Sequence, residues 1–237
     1  PRTDLGAAPA EGDGPAVELG LHGFASPSTS FKNAPGSTDV ARGGWHARLG
    51  WRTGDDQGFT LGLSSEASFY RFSNATALVP GSGTGEPLND VYETSLGATL
   101  VTRSSERTSF FTSAALTLGG EDNASFGDAL TVAAVAGVRQ RVLRRRADGR
   151  GRRGRPGLAA MTLHEGSPWV LPYLGFDWKI DDAWRLSFEG SRVELACALS
   201  EHWTLAGKAS YELRQYRLND DGPARGGAFR DQEIDVG

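Results

Sequence analysis

Four histidines, one cysteine and a run of arginines are the side chains best able to do chemistry in this 237-residue chain. His22, His46, His164 and His202 are scattered, with no two at the spacing of a paired metal ligand, and Cys197 falls among apolar alternating positions. No metal site and no cofactor are expected from them. Ser167 follows His164 closely, but the Gly-x-Ser-x-Gly elbow that exposes a nucleophile is missing, so the expected catalytic set is none and the chain reads as a non-enzyme. The Pro-Gly-Ser-Gly-Thr-Gly stretch at 80–85 has the glycines of a phosphate loop without its lysine and helix, which leaves an ordinary loop.

The arginines are the strongest local signal. Residues 144–155 hold seven Arg and one Asp, a local charge of +6 in a chain of net charge −4, so the remainder carries −10. The segment lacks the interleaved aromatics of a nucleic-acid surface, and no nucleic acid is expected as a partner. Arg144, Arg145, Arg146, Arg152, Arg153 and Arg155 are instead candidates for bidentate contacts to lipid phosphates. With its glycines and polar residues, 144–167 reads as a basic disordered insertion.

The elements that would position these groups are strands. No apolar run reaches the ~18 residues of a spanning helix, and a single cysteine permits no internal disulfide. Period-two alternation recurs from end to end, separated by turn-forming clusters. Val17, Leu19 and Leu21 open the pattern, followed by Trp45, Ala47, Leu49 and Trp51, then by a long run from Phe59. Runs at 91–102 and 108–118 flank a short turn and predict a hairpin, and a further run covers 128–142. Beyond the basic segment lie runs at 170–180, 184–199, 202–218 and 232–237. The apolar phase slips at Gly190 and Ser191, where a β-bulge or a two-residue hairpin would fit; the bulge is favoured because it makes one strand of 184–199.

Alternation is compatible with an apolar face turned inward in a soluble sandwich or outward to lipid in a membrane barrel. Three features favour the barrel: runs of 12 to 17 residues, alternation of short and long connections, and tryptophans near strand ends. Trp45, Trp51, Trp169, Trp178, Trp184 and Trp203 form the expected aromatic girdle. The opposite parity carries charges of both signs, and Asp177, Lys179, Arg185, Glu189, Arg192, Glu194, Lys208, Glu212 and Arg214 are expected to face a lumen, near one another on adjacent strands.

Within 171–218, Leu171-Pro172 with Leu174-Gly175, an acidic-x-x-Trp-x-Leu pattern from Asp181 to Leu186, and the runs at 192–199, 201–205 and 211–218 follow in order. This stretch resembles a bacterial family of unknown function whose members are described as outer-membrane β-barrels. The resemblance implies a fold and a location, and brings no site residues.

The expectation is an all-β chain: a flexible segment at 1–15, then at 16–237 a single antiparallel up-and-down barrel of ten to twelve long strands spanning the bacterial outer membrane. The segment from Gln232 would either close it or belong to a truncated chain. Pro1 begins no basic-then-apolar leader, so a signal peptide is expected to have been removed. The role is a narrow pore, transport or structural one, with the lipid bilayer as partner and the oligomeric state open. A soluble β-sandwich binding module is the alternative, and a barrel-embedded lipid-modifying enzyme the third reading.

Overall fold

The computed structural model describes residues 14–30, 35–52, 57–74, 88, 90–105, 107–141, 151–162, 167–200, 203–221 and 226–236. Twelve strands run through them: β1 (Gly14–Ser30), β2 (Ser37–Arg52), β3 (Gly58–Ser73), β4 (Val91–Arg103), β5 (Thr108–Glu121), β6 (Leu130–Arg141), β7 (Gly151–Met161), β8 (Trp169–Lys179), β9 (Trp184–Glu189), β10 (Arg192–Ala198), β11 (Thr204–Arg217) and β12 (Ala228–Val236). One turn of helix, α1 (Phe126–Ala129), precedes β6. Each strand pairs antiparallel with the next in a single twelve-stranded meander. β2 and β3 run in unbroken register from Ser37 opposite Ser73 to Arg52 opposite Gly58, about 50 Å of ladder at the usual rise per residue.

The sheet curls until β5 meets β11. The contact is a parallel bridge between Gly120 and Arg217, which closes β5 to β11 into a ring of seven strands and leaves β1–β4 and β12 outside it. Glycine permits this approach, because a Cβ on Gly120 would sit 2.7 Å from the Arg217 carbonyl oxygen. Closure through the Gln232 segment, one of the two expectations, is not seen: among the described residues β12 pairs with β11 alone.

The apolar parity points outward around this sheet. Leu205, Leu195 and Phe176, which a sandwich would bury between two sheets, are 65%, 41% and 40% exposed. Outward Leu19, Leu49, Leu63, Leu96, Leu116, Leu158 and Leu174 are exposed as well. The buried apolar cluster is small and lies on the other parity, where Val40, Tyr70, Leu88, Val91, Tyr216 and Leu218 gather with Phe72 and Phe229. Among the described residues there is one curved sheet, with no second sheet packed on its apolar face.

Two local expectations are corrected. The basic segment is not loop throughout, since Gly151–Met161 forms β7, paired with β6 on one side and β8 on the other. Its arginines and glycines hide a strand whose later half alternates as its neighbours do, with Pro156, Leu158 and Ala160 at outward positions. Two ladders of backbone hydrogen bonds stabilise what propensity alone would not. The phase slip at Gly190 and Ser191 is a hairpin, not a bulge: Glu189 lies opposite Arg192, and Gly190 takes φ +60°. Glycine first in a two-residue loop with positive φ is what a type II′ turn requires.

Counting β7 as a strand also orders the loops. The connections at 53–57, 104–107, 142–150, 180–183 and 199–203 fall at one end of the sheet, while the longest, 74–90 and 218–227, fall at the other together with the two-residue turn at 190–191.

Candidate functional site: the inner face

The inner parity is built from residues that sit opposite one another across every ladder. Glu18 faces Arg48, Gly20 faces His46 and His22 faces Gly44 across β1 and β2. Each histidine ring lies over the glycine opposite it, and a Cβ on Gly44 would come 2.8 Å from the His22 ring. His22 Nε2 is 2.9 Å from Glu66 and His46 Nε2 3.2 Å from Glu18, while the two rings stack with centroids 6.5 Å apart. Arg48 donates to the other oxygen of Glu18 at 3.4 Å.

This network crosses the interior. Arg214 on β11 donates to Glu66 on β3 at 2.6 Å and to Glu212 on its own strand. Arg42 on β2 bridges to Asp231 and Glu233 on β12, donates to Ser68 at 3.1 Å and to the Tyr70 hydroxyl at 3.2 Å, and lies over the Phe24 ring. The Tyr70 hydroxyl donates to Asp231 at 2.7 Å. The polar faces of β2 and β3 are thus tied to those of β11 and β12 through charge pairs whose arginines are almost fully buried, 2% and 7% exposed in their side chains. Pairs of this kind tolerate burial only because every charge has a partner.

Inside the ring the filling is aromatic. Phe111, Gly137, Gly157 and Tyr173 lie opposite one another in a row across β5 to β8. The Phe111 and Tyr173 rings meet over the two glycines with centroids 5.7 Å apart, and the Tyr173 hydroxyl donates to Glu189 at 2.8 Å. On the adjoining ladder between β4 and β5, at the edge of the ring, hydroxyls pair across the strands, Ser95 with Thr117 at 2.7 Å and Thr99 with Ser113 at 2.8 Å.

The nine charges singled out from the sequence share this parity. Asp177 takes a two-pronged contact from Arg185 on the neighbouring strand. Glu194 lies opposite Lys208 across β10 and β11. Arg192 pairs with Glu194 at 2.9 Å and Arg214 with Glu212, each within its own strand, and Lys179 turns to Asp182 at 2.8 Å. Sequence reasoning missed Arg42, Tyr70, Asp231 and Glu233 as site residues. Asp231 and Glu233 do flank Gln232 with the parity of a lumen face, a signal that could have found them.

The tryptophans divide. Trp51, Trp178, Trp184 and Trp203 stand at the end of the sheet with the short turns, Trp169 opens β8 at the other end, and Trp45 lies mid-strand, opposite Leu21 and Ser65. Among the basic residues, Arg152, Arg153 and Arg155 belong to the β7 backbone, and Arg144, Arg145 and Arg146 lie outside the described residues. Among the described residues, no group of three His, Cys, Asp or Glu could hold a metal ion, and no helix is long and apolar enough to cross a membrane.

No protein-family model matches the chain, and no curated protein matches it.

Proposed function

We propose that this chain is an outer-membrane β-barrel that faces lipid with its outer band and keeps a narrow, largely filled interior, in a structural or small-solute role. The observation that carries this reading is the outer wall. Its large apolar side chains are exposed from β1 to β12. Among the described residues, the charged ones at outward positions, Asp39, Arg71, Arg217 and Arg230, lie within three residues of a strand end. In water such a surface is far larger than a soluble monomer tolerates. In a bilayer it is the required one, because a charge at mid-depth costs ~2–4 kcal/mol and falls towards nothing at the interfaces.

The dimensions agree. Phe59 and Phe69, both outward and exposed on β3, are ten residues apart, or ~33 Å along a strand. A tilt of ~40° projects that to ~25 Å, the height of the apolar band in such barrels. Trp51, Trp178, Trp184 and Trp203 gather at one end, and the two longest connections, 74–90 and 218–227, lie at the other, which fits interfacial anchoring and external loops. The order of motifs at 171–218 that resembles an outer-membrane family points the same way.

The interior favours a filled barrel over a wide pore. Arg42, Glu66, Tyr70, Arg214, Asp231 and Glu233 bridge it at one level, and Phe111 with Tyr173 fill the ring at another. Membrane residence is tested by refolding the full chain into vesicles and floating them on a density gradient. It is expected to float with the vesicles, resist carbonate extraction and aggregate when detergent is removed. A chain that stays monodisperse in buffer without detergent overturns the reading.

A further inference from the structure

The outer wall is not evenly filled. Near the end of the sheet where β4 and β5 are joined, a cleft of about 530 Å³ opens across β4, β5 and β6, lined at outward positions by Leu100, Thr102, Phe110, Thr112, Ala136 and Val138. Its size is that of a small-ligand site. Leu100 and Phe110 stand out from the sheet, 47% and 52% exposed, while Ala136 beside Gly137 is too small to fill the space they leave. The next row of the wall is smaller again, with Ala98, Ala114, Ala134 and Ala160 directly opposite one another across β4 to β7. A shallow trough therefore leads away from the cleft. Two outward hydroxyls mark it: Thr102 opposes Phe110, and Thr112 lies between Leu100 and Ala136 in a row otherwise apolar from Trp51 to Pro172.

The rim beside the cleft is cationic. Arg103 follows Thr102 and Arg107 comes three residues before Phe110, and both are exposed. Their turn is tied: Arg103 Nε donates to the Ser105 carbonyl at 3.2 Å, and the Ser105 hydroxyl accepts from the backbone N–H of Arg107 at 3.3 Å and of Thr108 at 3.1 Å. Three other connections at this end, 53–57, 180–183 and 199–203, contain Asp or Glu and neither Lys nor Arg, whereas here two arginines stand against Glu106 alone.

We propose that the cleft seats an acyl chain of an anionic phospholipid, whose phosphate is held at the β4–β5 turn by Arg103 and Arg107. The inference rests on the membrane reading and adds one lipid at one place to it. An apolar cleft that opens into the bilayer is filled by hydrocarbon, and a chain lying in it gains dispersion contacts on its flanks as well as its base. The depth agrees, since Thr112 is four residues from the start of β5, about 13 Å along the strand, or ~10 Å deep at a tilt of ~40°. Guanidinium grips a phosphate edge with two parallel hydrogen bonds, and Thr102 offers a hydroxyl donor between phosphate and chain. A zwitterionic lipid can fill the same cleft but brings an ammonium to a cationic rim. Preference for the anionic headgroup is therefore the signature.

The test uses the full chain refolded in uncharged detergent with equimolar phosphatidylglycerol and phosphatidylcholine, read by native mass spectrometry. One phosphatidylglycerol per chain is expected to be retained, about ten- to thirtyfold in preference to phosphatidylcholine. Arg103→Gln with Arg107→Gln brings the ratio close to one. Arg107→Gln alone, on an exposed turn, lowers it several-fold and serves if the double variant fails to fold. Ala136→Phe, which fills the cleft, reduces retention of both lipids, and Arg71→Gln, an outward cation at the other end of β3, leaves the ratio unchanged. Equal retention of the two lipids by the parent chain overturns the proposal. So does a preference that both arginine variants leave intact, that Arg71→Gln removes as fully, or retention indifferent to Ala136→Phe. Paired chains that Ala136→Phe separates make the cleft an interface between copies, and overturn it as well. A chain that floats with vesicles yet shows no preference sinks this inference and leaves the barrel reading standing, whereas one that stays monodisperse without detergent removes both.

Discussion

At the scale of single residues, the interior charges differ in what they have to lose. Arg42 contacts Asp231, Glu233, Ser68 and Tyr70 and is almost wholly buried, so its removal leaves two largely buried carboxylates side by side on β12 without the cation they share. Breaking a buried pair from one side costs about 3–5 kcal/mol, most of it the penalty on the stranded partners. Arg42→Met is therefore expected to lower the urea midpoint of the refolded protein by that order. Adding Asp231→Asn and Glu233→Gln should recover most of the loss. By contrast, Arg185 with Asp177 is 60% exposed on the arginine side, and Arg185→Gln should cost under about 1 kcal/mol. Equal losses from Arg42→Met and Arg185→Gln would show that the interior is wet and the distinction empty.

At the scale of the element, what the sequence makes legible is which face a residue joins, because parity alone settles that. Leu61 and Leu63, Leu186 and Phe188, and Leu205 and Leu213 all fall on the side their alternation assigns, as do Glu212 and Arg214. Two elements escaped. β7 has its alternation masked by Arg152, Arg153 and Arg155, and the turn at Gly190 hides because a bulge produces the same phase slip. In both, what decides is the partner strand, which no local window contains. The same holds for Gly137, whose meaning appears only when Phe111 and Gly157 are beside it. A Cβ there would come 2.4 Å from the Pro156 carbonyl and 2.7 Å from the Phe111 ring. Gly137→Ala is expected to destabilise the fold by about 1–3 kcal/mol, the usual cost of overpacking. Phe111→Ala should not rescue it fully, because the carbonyl cannot retreat as a side chain can. Equal urea midpoints for the parent and Gly137→Ala would contradict the close approach of β6 and β7.

At the scale of the whole molecule, the question is what becomes of the two outermost strands. Among the described residues β1 and β12 each pair on one side only, β1 with β2 and β12 with β11. Their apolar side chains are also among the most exposed, with Leu21 at 89% and Val236 at 81%. A strand edge in hydrocarbon leaves a row of peptide groups unsatisfied, at several kcal/mol each, which is why spanning sheets close. The two edges suit one another, since an even meander makes them antiparallel and both present apolar residues outward and polar ones inward. Arg42 already holds them near: it lies over Phe24 of β1 and reaches Asp231 and Glu233 of β12. In lipid, β1 and β12 should then pair and close all twelve strands, while the β5 to β11 contact, a single bridge, opens. Hydrogen exchange distinguishes the two arrangements. In nanodiscs, the edge amides of 17–23 and 229–235 are expected to become as protected as those of β4, whose amides are paired on both sides. If they exchange freely while the chain remains inserted, the sheet stays open at that seam and the seven-stranded ring is the membrane form.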